Sequence, residues 1–218
     1  MLRALLFDFD GLVLDTESTE FRAWSEVYGA HGHALALQTW AVGIGTLHGF
    51  DPEAHLASLG AVVGAEAVEE QARRNLDLCD LEELRPGVVE LLDAAERRGV
   101  ATAIVSSSSH GWIARHLDAR GLTGRFGTLV CANGDPARAK PRPALYLEAL
   151  ERLGVRANEA VAFEDSPNGI AAAKAANVFT VAVPNEITAQ LDLSRADLVV
   201  ASLLDVSLDS LEARLDHR

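Results

Sequence analysis

The chain has 218 residues, 49% of them hydrophobic, and carries 32 acidic against 19 basic residues for a formal net charge of -13. That balance argues against a nucleic-acid partner, whose phosphates need clustered Lys and Arg, and no apolar run approaches the roughly 20 residues of a membrane span. Cys79 and Cys131 lie far apart, offering neither a disulfide framework nor a zinc spacing, so the chain reads as a cytoplasmic protein with reduced thiols and no predicted protein partner.

The first predicted element is Ala4-Leu5-Leu6-Phe7, an apolar run of the length of a buried strand. It ends in Asp8, Phe9, Asp10 and Gly11. Side chains alternate along a strand, so Asp8 and Asp10 emerge roughly on one side. Two carboxylates that close repel unless a cation or a proton lies between them. Gly11 permits a sharp turn or the close approach of a ligand. A divalent metal carrying a phosphate accounts for all three features. Leu12-Val13-Leu14 is expected to continue extended, and Asp15-Thr16 to start a helix. Phe21, Trp24, Val27 and Tyr28 share one face of that helix, which should end at Gly29. His31 and His33 read as loop residues. Further helices are predicted around Leu37 to Val42, from Pro52 to Leu59 and from about Ala65 to Leu84.

The texture changes at Arg85-Pro86-Gly87, after which apolar strands alternate with amphipathic helices. Strands are predicted at Val100 to Val105, Gly127 to Ala132, Ala160 to Phe163, Val178 to Val183 and Leu198 to Val200, with helices between them. Such alternation implies a mostly parallel sheet covered by helices on both faces. The expected architecture is α/β: a Rossmann-like parallel sheet core from residues 1–14 and 85–218, interrupted by an all-helical cap over residues 15–84.

Ligands of open parallel sheets bind beyond the carboxyl ends of the strands. The first strand delivers Asp8 and Asp10 there, the second Ser106-Ser107-Ser108-Ser109, the loop after the third Lys140, and the fourth Glu164-Asp165. A phosphoryl group at that edge would meet an attacking carboxylate, Asp8, of its own sign. A Mg²⁺ on Asp8, Asp165 and Glu164 would neutralise both, its hard oxygen ligands suiting that ion. The Ser106 hydroxyl, Ser107 and nearby N–H groups would hold phosphate oxygens, with Lys140 as a point charge. Asp10 would serve as general acid and then as general base.

Asp8-Phe9-Asp10-Gly11-Leu12-Val13-Leu14-Asp15-Thr16-Glu17, Ser106, Lys140-Pro141 and Glu164-Asp165-Ser166-Pro167-Asn168-Gly169 look like the four motifs of the haloacid dehalogenase superfamily. The helical insert directly after the first motif, and Phe21-Arg22-Ala23-Trp24, are similar to the beta-phosphoglucomutase-like subgroup with its helical cap. The resemblance implies Asp8 as the phosphorylated nucleophile and Asp10 as the acid/base, with the Asp10 main-chain carbonyl also on Mg²⁺. It also implies Glu164 and Asp165 near the metal, and Ser106 and Lys140 on the phosphate. The chain departs from the mutases of that subgroup in three places. The cap loop Gly43-Ile44-Gly45-Thr46-Leu47-His48 lacks an arginine, Ser109-His110 replaces a lysine and an asparagine, and Glu20 stands where a histidine would.

The expected function is therefore a Mg²⁺-dependent phosphatase acting on a small phosphorylated metabolite, a sugar or polyol phosphate, with a sugar phosphomutase as the alternative. Trp24, Arg73 and Arg74 are candidate substrate contacts from the cap. A dehalogenase would need neither the metal site nor Asp10, and a phospho-acceptor signalling module would be defeated by an Asp10 poised to hydrolyse its phosphoaspartate. The cap is expected to close over the site by hinging near Leu14-Asp15 and Leu84-Pro86.

Overall fold

The structure, a computed structural model, describes residues 1–41, 44 and 50–216. Val42 and the cap-loop residues Gly43, Gly45, Thr46, Leu47 and His48, read above for their charge, lie outside the described residues. The strands are β1 (Ala4–Phe7), β2 (Ala101–Ser106), β3 (Thr128–Cys131), β4 (Ala160–Glu164), β5 (Phe179–Ala182) and β6 (Leu198–Val199). All pair in parallel, in the order β3-β2-β1-β4-β5-β6. The first strand is thus central, with Phe7 opposite Ile104 on one side and Phe163 on the other.

Alternation along these strands supplies two cores. Leu5, Phe7, Val161 and Phe163 face one way and Ala4, Leu6, Ala160 and Ala162 the other, all buried. On the first face pack α5 (Val88–Arg98), α6 (His110–Ala119) and α9 (Leu208–Asp216); on the second, α7 (Ala144–Leu153) and α8 (Pro167–Ala175). Among the described residues, five helices are inserted between β1 and β2. Besides α5 these are α1 (Thr16–Ala30), α2 (Leu37–Ala41), α3 (Pro52–Ser58) and α4 (Ala65–Leu81). Helices α1 to α3 contribute to an apolar cluster of their own, with Trp24, Tyr28, Trp40 and Leu56 at its centre and Ile187 from the sheet side joined to it. No helix among the described residues is long and apolar enough to cross a membrane.

Two expectations need correction. Leu12 to Leu14 does not continue extended: Gly11 takes a φ of +83°, and the N–H groups of Leu12, Val13 and Leu14 all turn back to the Phe9 carbonyl at 3.2, 2.9 and 3.2 Å. Sequence pattern alone cannot separate a three-residue apolar turn from a strand extension. The long fourth helix also stops at Leu81, not Leu84, and Leu84 instead forms an antiparallel bridge with Leu14. The outgoing and returning connections of the helical insert are therefore fastened to each other.

Arg85 locks this junction. Its guanidinium donates to the carbonyls of Gly11 (2.6 Å), Val183 (2.8 Å) and Pro184 (2.7 Å). Charged donors satisfy such carbonyls better than water that is partly excluded. Arg85→Met should lower the unfolding free energy by about 2–3 kcal/mol, read as an earlier urea midpoint. A variant with an unchanged midpoint would show that the three contacts are ornamental.

Candidate active site

The carboxyl ends of β1, β2 and β4 and the loop after β3 meet in one cleft of ≈ 440 Å³. Asp8, Asp10, Ser106, Ser107, Lys140 and Asp165 all line it. Asp8 follows β1 directly, and its backbone N–H still donates to Phe163 of β4 at 3.0 Å, so the sheet sets its position.

Lys140 is buried, and its ammonium lies between two carboxylates, donating to Asp8 Oδ1 and contacting Glu164 Oε1 at 2.7 Å. The backbone N–H of Lys140 donates to Ser107 Oγ at 3.2 Å, which ties the loop to the end of β2. The two carboxylates raise Lys140 above the ordinary lysine range against the effect of burial, so it stays charged. Glu164 is fully buried and does not line the cleft. Its Oε1 also accepts from the Tyr146 hydroxyl, while Oε2 has no hydrogen-bond partner among the described residues. Gly169 makes room for it, since a Cβ there would lie 1.8 Å from Oε2.

Asp8, Glu164 and Asp165 each present a carboxylate oxygen, all within 4.8 Å of one another. Burial pushes Asp8 up to about 8, with Lys140 opposing and Glu164 and Asp10 adding to the rise. Burial, then Asp8, Glu164 and Glu17, push Asp165 well above the usual range, with Arg85 opposing. Three crowded, buried carboxylates share one lysine, so protons or a cation must neutralise the rest. An all-oxygen donor set with an unpartnered buried oxygen fits a hard divalent cation. Asn185 orients Asp165, donating to its Oδ2 at 3.0 Å, and a Cβ on Gly11 would sit 2.1 Å from that same oxygen.

Asp10 faces a different environment. Its Oδ1 accepts from Thr16 Oγ1 (3.0 Å) and Trp112 Nε1 (2.8 Å), its Oδ2 from Ser106 Oγ (3.2 Å) and Ser108 Oγ (2.6 Å). Ser106, expected to hold phosphate, is in this state turned towards Asp10. The donors Trp112, Tyr146 and Asn185 escaped the sequence reading, and Ser108 was placed at this edge without a role of its own. Asn185 follows β5 as the other site residues follow their strands, so the strand-end rule would have found it. Trp112 and Tyr146 carry apolar helix faces, and periodicity is blind to their single polar atoms.

Three candidate contacts from the cap are not brought to the cleft. Trp24 is buried in the cap's apolar cluster. Arg74 makes a bidentate pair with Glu26, at 2.9 to 3.2 Å, on the exposed surface between α1 and α4. Arg73 does not line the cleft either.

Residues 2–177 match the haloacid dehalogenase-like hydrolase family, and the chain belongs to it. The chain is 39% identical over 219 residues to "Putative phosphatase YhcW" of Bacillus subtilis (strain 168), covering 100% of this chain and 98% of that one. CbbY from Rhodobacter sphaeroides, solved in complex with phosphate, is 27% identical with a TM-score of 0.77, covering 97% of this chain and 100% of the other. Beta-phosphoglucomutase from Clostridium difficile shares the fold at 23% identity and a TM-score of 0.77, covering 100% and 98%.

The crowding of carboxylates has a thermodynamic signature. In the metal-free protein the folded state keeps the Asp8 proton up to about pH 8, whereas an unfolded aspartate loses it near pH ~4. The folded state therefore binds more protons across that window, and stability falls as pH rises through it. Asp165 and Glu17, both raised, and Glu20, pushed up to about 7, act with the same sign. With chelator present, the urea midpoint should decline from pH 5 to pH 8, and Asp8→Asn should flatten the decline. A midpoint that climbs over that range would contradict the charge balance drawn above.

Proposed function

We propose that this chain is a Mg²⁺-dependent phosphatase that hydrolyses a small phosphorylated metabolite, a sugar or polyol phosphate, through an aspartyl phosphate on Asp8. The observation that carries the reading is Asp8 held at the cleft by Lys140, beside a buried carboxylate set whose oxygens fit a hard divalent cation. Asp8, Asp165 and Glu164, with the Asp10 main-chain carbonyl, are the groups assigned to Mg²⁺. When bound, the ion neutralises part of the charge on Asp8 and on the phosphate oxygens.

The protein's own groups then divide the work. Lys140 restrains Asp8 Oδ1 and offsets the repulsion between attacker and phosphate. An Asp8 oxygen bonds to phosphorus as the ester P–O bond breaks, and Asp10, protonated for this step, gives its proton to the departing alkoxide. Asp10, now ionised, takes a proton from water, whose oxygen attacks the phosphorus; the bond to Asp8 breaks and phosphate leaves. Ser106, Ser108, Thr16 and Trp112 keep Asp10 beside the reacting oxygen, and rotation of the two serine hydroxyls makes donors for phosphate oxygens. The cap is assigned to residues 15–84 and the core to 1–14 and 85–218, a division supported by the separate apolar cluster of α1 to α3. A mutase must hold a second phosphate, and among the described cleft residues Lys140 is the sole cation, which favours water as the acceptor.

Release of phosphate from an aryl phosphate should require Mg²⁺ and vanish in EDTA. Asp8→Asn should reduce it to background, and Lys140→Ala should lower kcat about 10²–10³-fold. Trp112→Phe, which removes one of four donors to Asp10, should lower it about tenfold. Undiminished turnover by Asp8→Asn would end the nucleophile assignment. With glucose 1-phosphate and a trace of bisphosphate, free phosphate is expected; isomerised sugar phosphate would favour the mutase.

A further inference from the structure

After β5 the chain gives the carbonyls of Val183 and Pro184 to Arg85, and the residues that follow close on themselves. Asn185 Oδ1 accepts from the N–H groups of Ile187 (3.0 Å) and Thr188 (2.9 Å) and from the Thr188 hydroxyl (3.1 Å). The Asn185 N–H donates back to Thr188 Oγ1 at 2.9 Å. Asn185 and Thr188 are both buried, and Ile187 between them packs into the apolar cluster of α1 to α3. The turn is thus held from both ends and from above.

This reciprocal turn settles which way the Asn185 amide points. A side-chain amide has one acceptor oxygen and one NH₂, so three donors converging on the oxygen leave the NH₂ to face the other way. There it meets Asp165 Oδ2 at 3.0 Å and the Gly11 carbonyl at 3.4 Å. Asn185 is the sole hydrogen-bond donor to the Asp165 carboxylate among the described residues. Gly11 closes the other side of that oxygen, since a Cβ there would lie 2.1 Å from Oδ2 and 2.9 Å from Asn185 Nδ2. The amide is also neutral, so it orients Asp165 without supplying the positive charge that a cation would bring. Asp165 belongs to the fourth motif, whereas Asn185 and Thr188 lie beyond the residues 2–177 that match the family.

We propose that Asn185 is a positioning residue for the divalent cation: it holds the Asp165 carboxylate in place before the ion arrives, and Thr188 holds Asn185, so the turn sets the affinity for Mg²⁺. The inference rests on the hydrolase reading, which assigns the ion to Asp8, Glu164 and Asp165, and adds to it the group that prepares one of those ligands. A carboxylate free to rotate must be ordered when the metal binds, and that ordering weakens binding. One already fixed by an outer hydrogen bond avoids the loss, and removing such a partner typically costs about 10–100-fold in metal affinity.

The test is calorimetric titration of the full chain with Mg²⁺ alone, no ester present. Asp165→Asn should abolish the binding heat and so assign it to this site. Asn185→Ala should raise the Mg²⁺ Kd by about 10–100-fold, and the Mg²⁺ concentration giving half-maximal hydrolysis of p-nitrophenyl phosphate should rise by the same factor. Thr188→Val, which keeps the shape and removes the hydroxyl, should raise the Kd by about threefold or more. Circular dichroism checks that each variant folds; should Asn185→Ala fail, Thr188→Val decides. A residue that merely supported the fold would lower the unfolding midpoint in chelator and leave the Kd of the folded protein alone. A Kd within about twofold of wild type in a folded variant therefore overturns the inference and leaves the hydrolase reading standing. Wild type that gives no binding heat, or heat that survives Asp165→Asn, removes the metal assignment of that reading and this inference with it.

Discussion

Everything at the cleft depends on one buried cation shared by two carboxylates. Lys140 sits between Asp8 and Glu164 with a side chain that is 2% exposed. Breaking such a pair by removing one partner is expected to destabilise by about 3–5 kcal/mol, because the remaining charge stays buried and alone. The surroundings show how completely the position is prepared. Ser107 holds the lysine backbone, Tyr146 holds Glu164, and Gly169 clears the space Glu164 occupies. Even so, one lysine cannot satisfy three crowded carboxylates, and that shortfall, met by protons or by a cation, is the physical basis for expecting a divalent ion.

The two aspartates of the first motif are only two residues apart yet live in opposite regimes. Asp8 is crowded by carboxylates and short of donors, whereas Asp10 accepts four hydrogen bonds, from α1, α6, the end of β2 and the loop after it. The turn at Gly11 separates them from the helical insert. Its positive φ brings the chain back on itself, and its missing Cβ lets Asp165 approach. Arg85 then ties the Gly11 carbonyl to the end of β5, so the returning connection of the insert is anchored to the same place as the outgoing one. Any movement of α1 to α4 would act through residues that also shape the site.

The parallel sheet was legible because β1, β2, β4 and β5 are short, apolar and buried on both faces, the pattern that central parallel strands impose. Asp8, Asp10, Lys140 and Asp165 were legible because strand ends converge in such a sheet. What stayed hidden was of two kinds. The Trp112 indole and Tyr146 hydroxyl are polar atoms on residues whose helical spacing already explained them as packing. The fates of Trp24 and Arg74 hinged on which side of a helix faces the core domain, and amphipathicity gives a face without saying what opposes it. Arg74 had an acidic partner on the neighbouring helix, a pairing across 48 residues of chain that no local pattern encodes.

The claim that an anionic attacker works because Lys140 and a metal offset its charge stands or falls on Asp8 becoming phosphorylated. The direct measurement is rapid acid quench of the enzyme during turnover with Mg²⁺, borohydride reduction of any acyl phosphate, and peptide mass spectrometry. Reduction confined to Asp8 is the expected result. Phosphate release with Asp8 unmodified, or modification on another carboxylate, would contradict it.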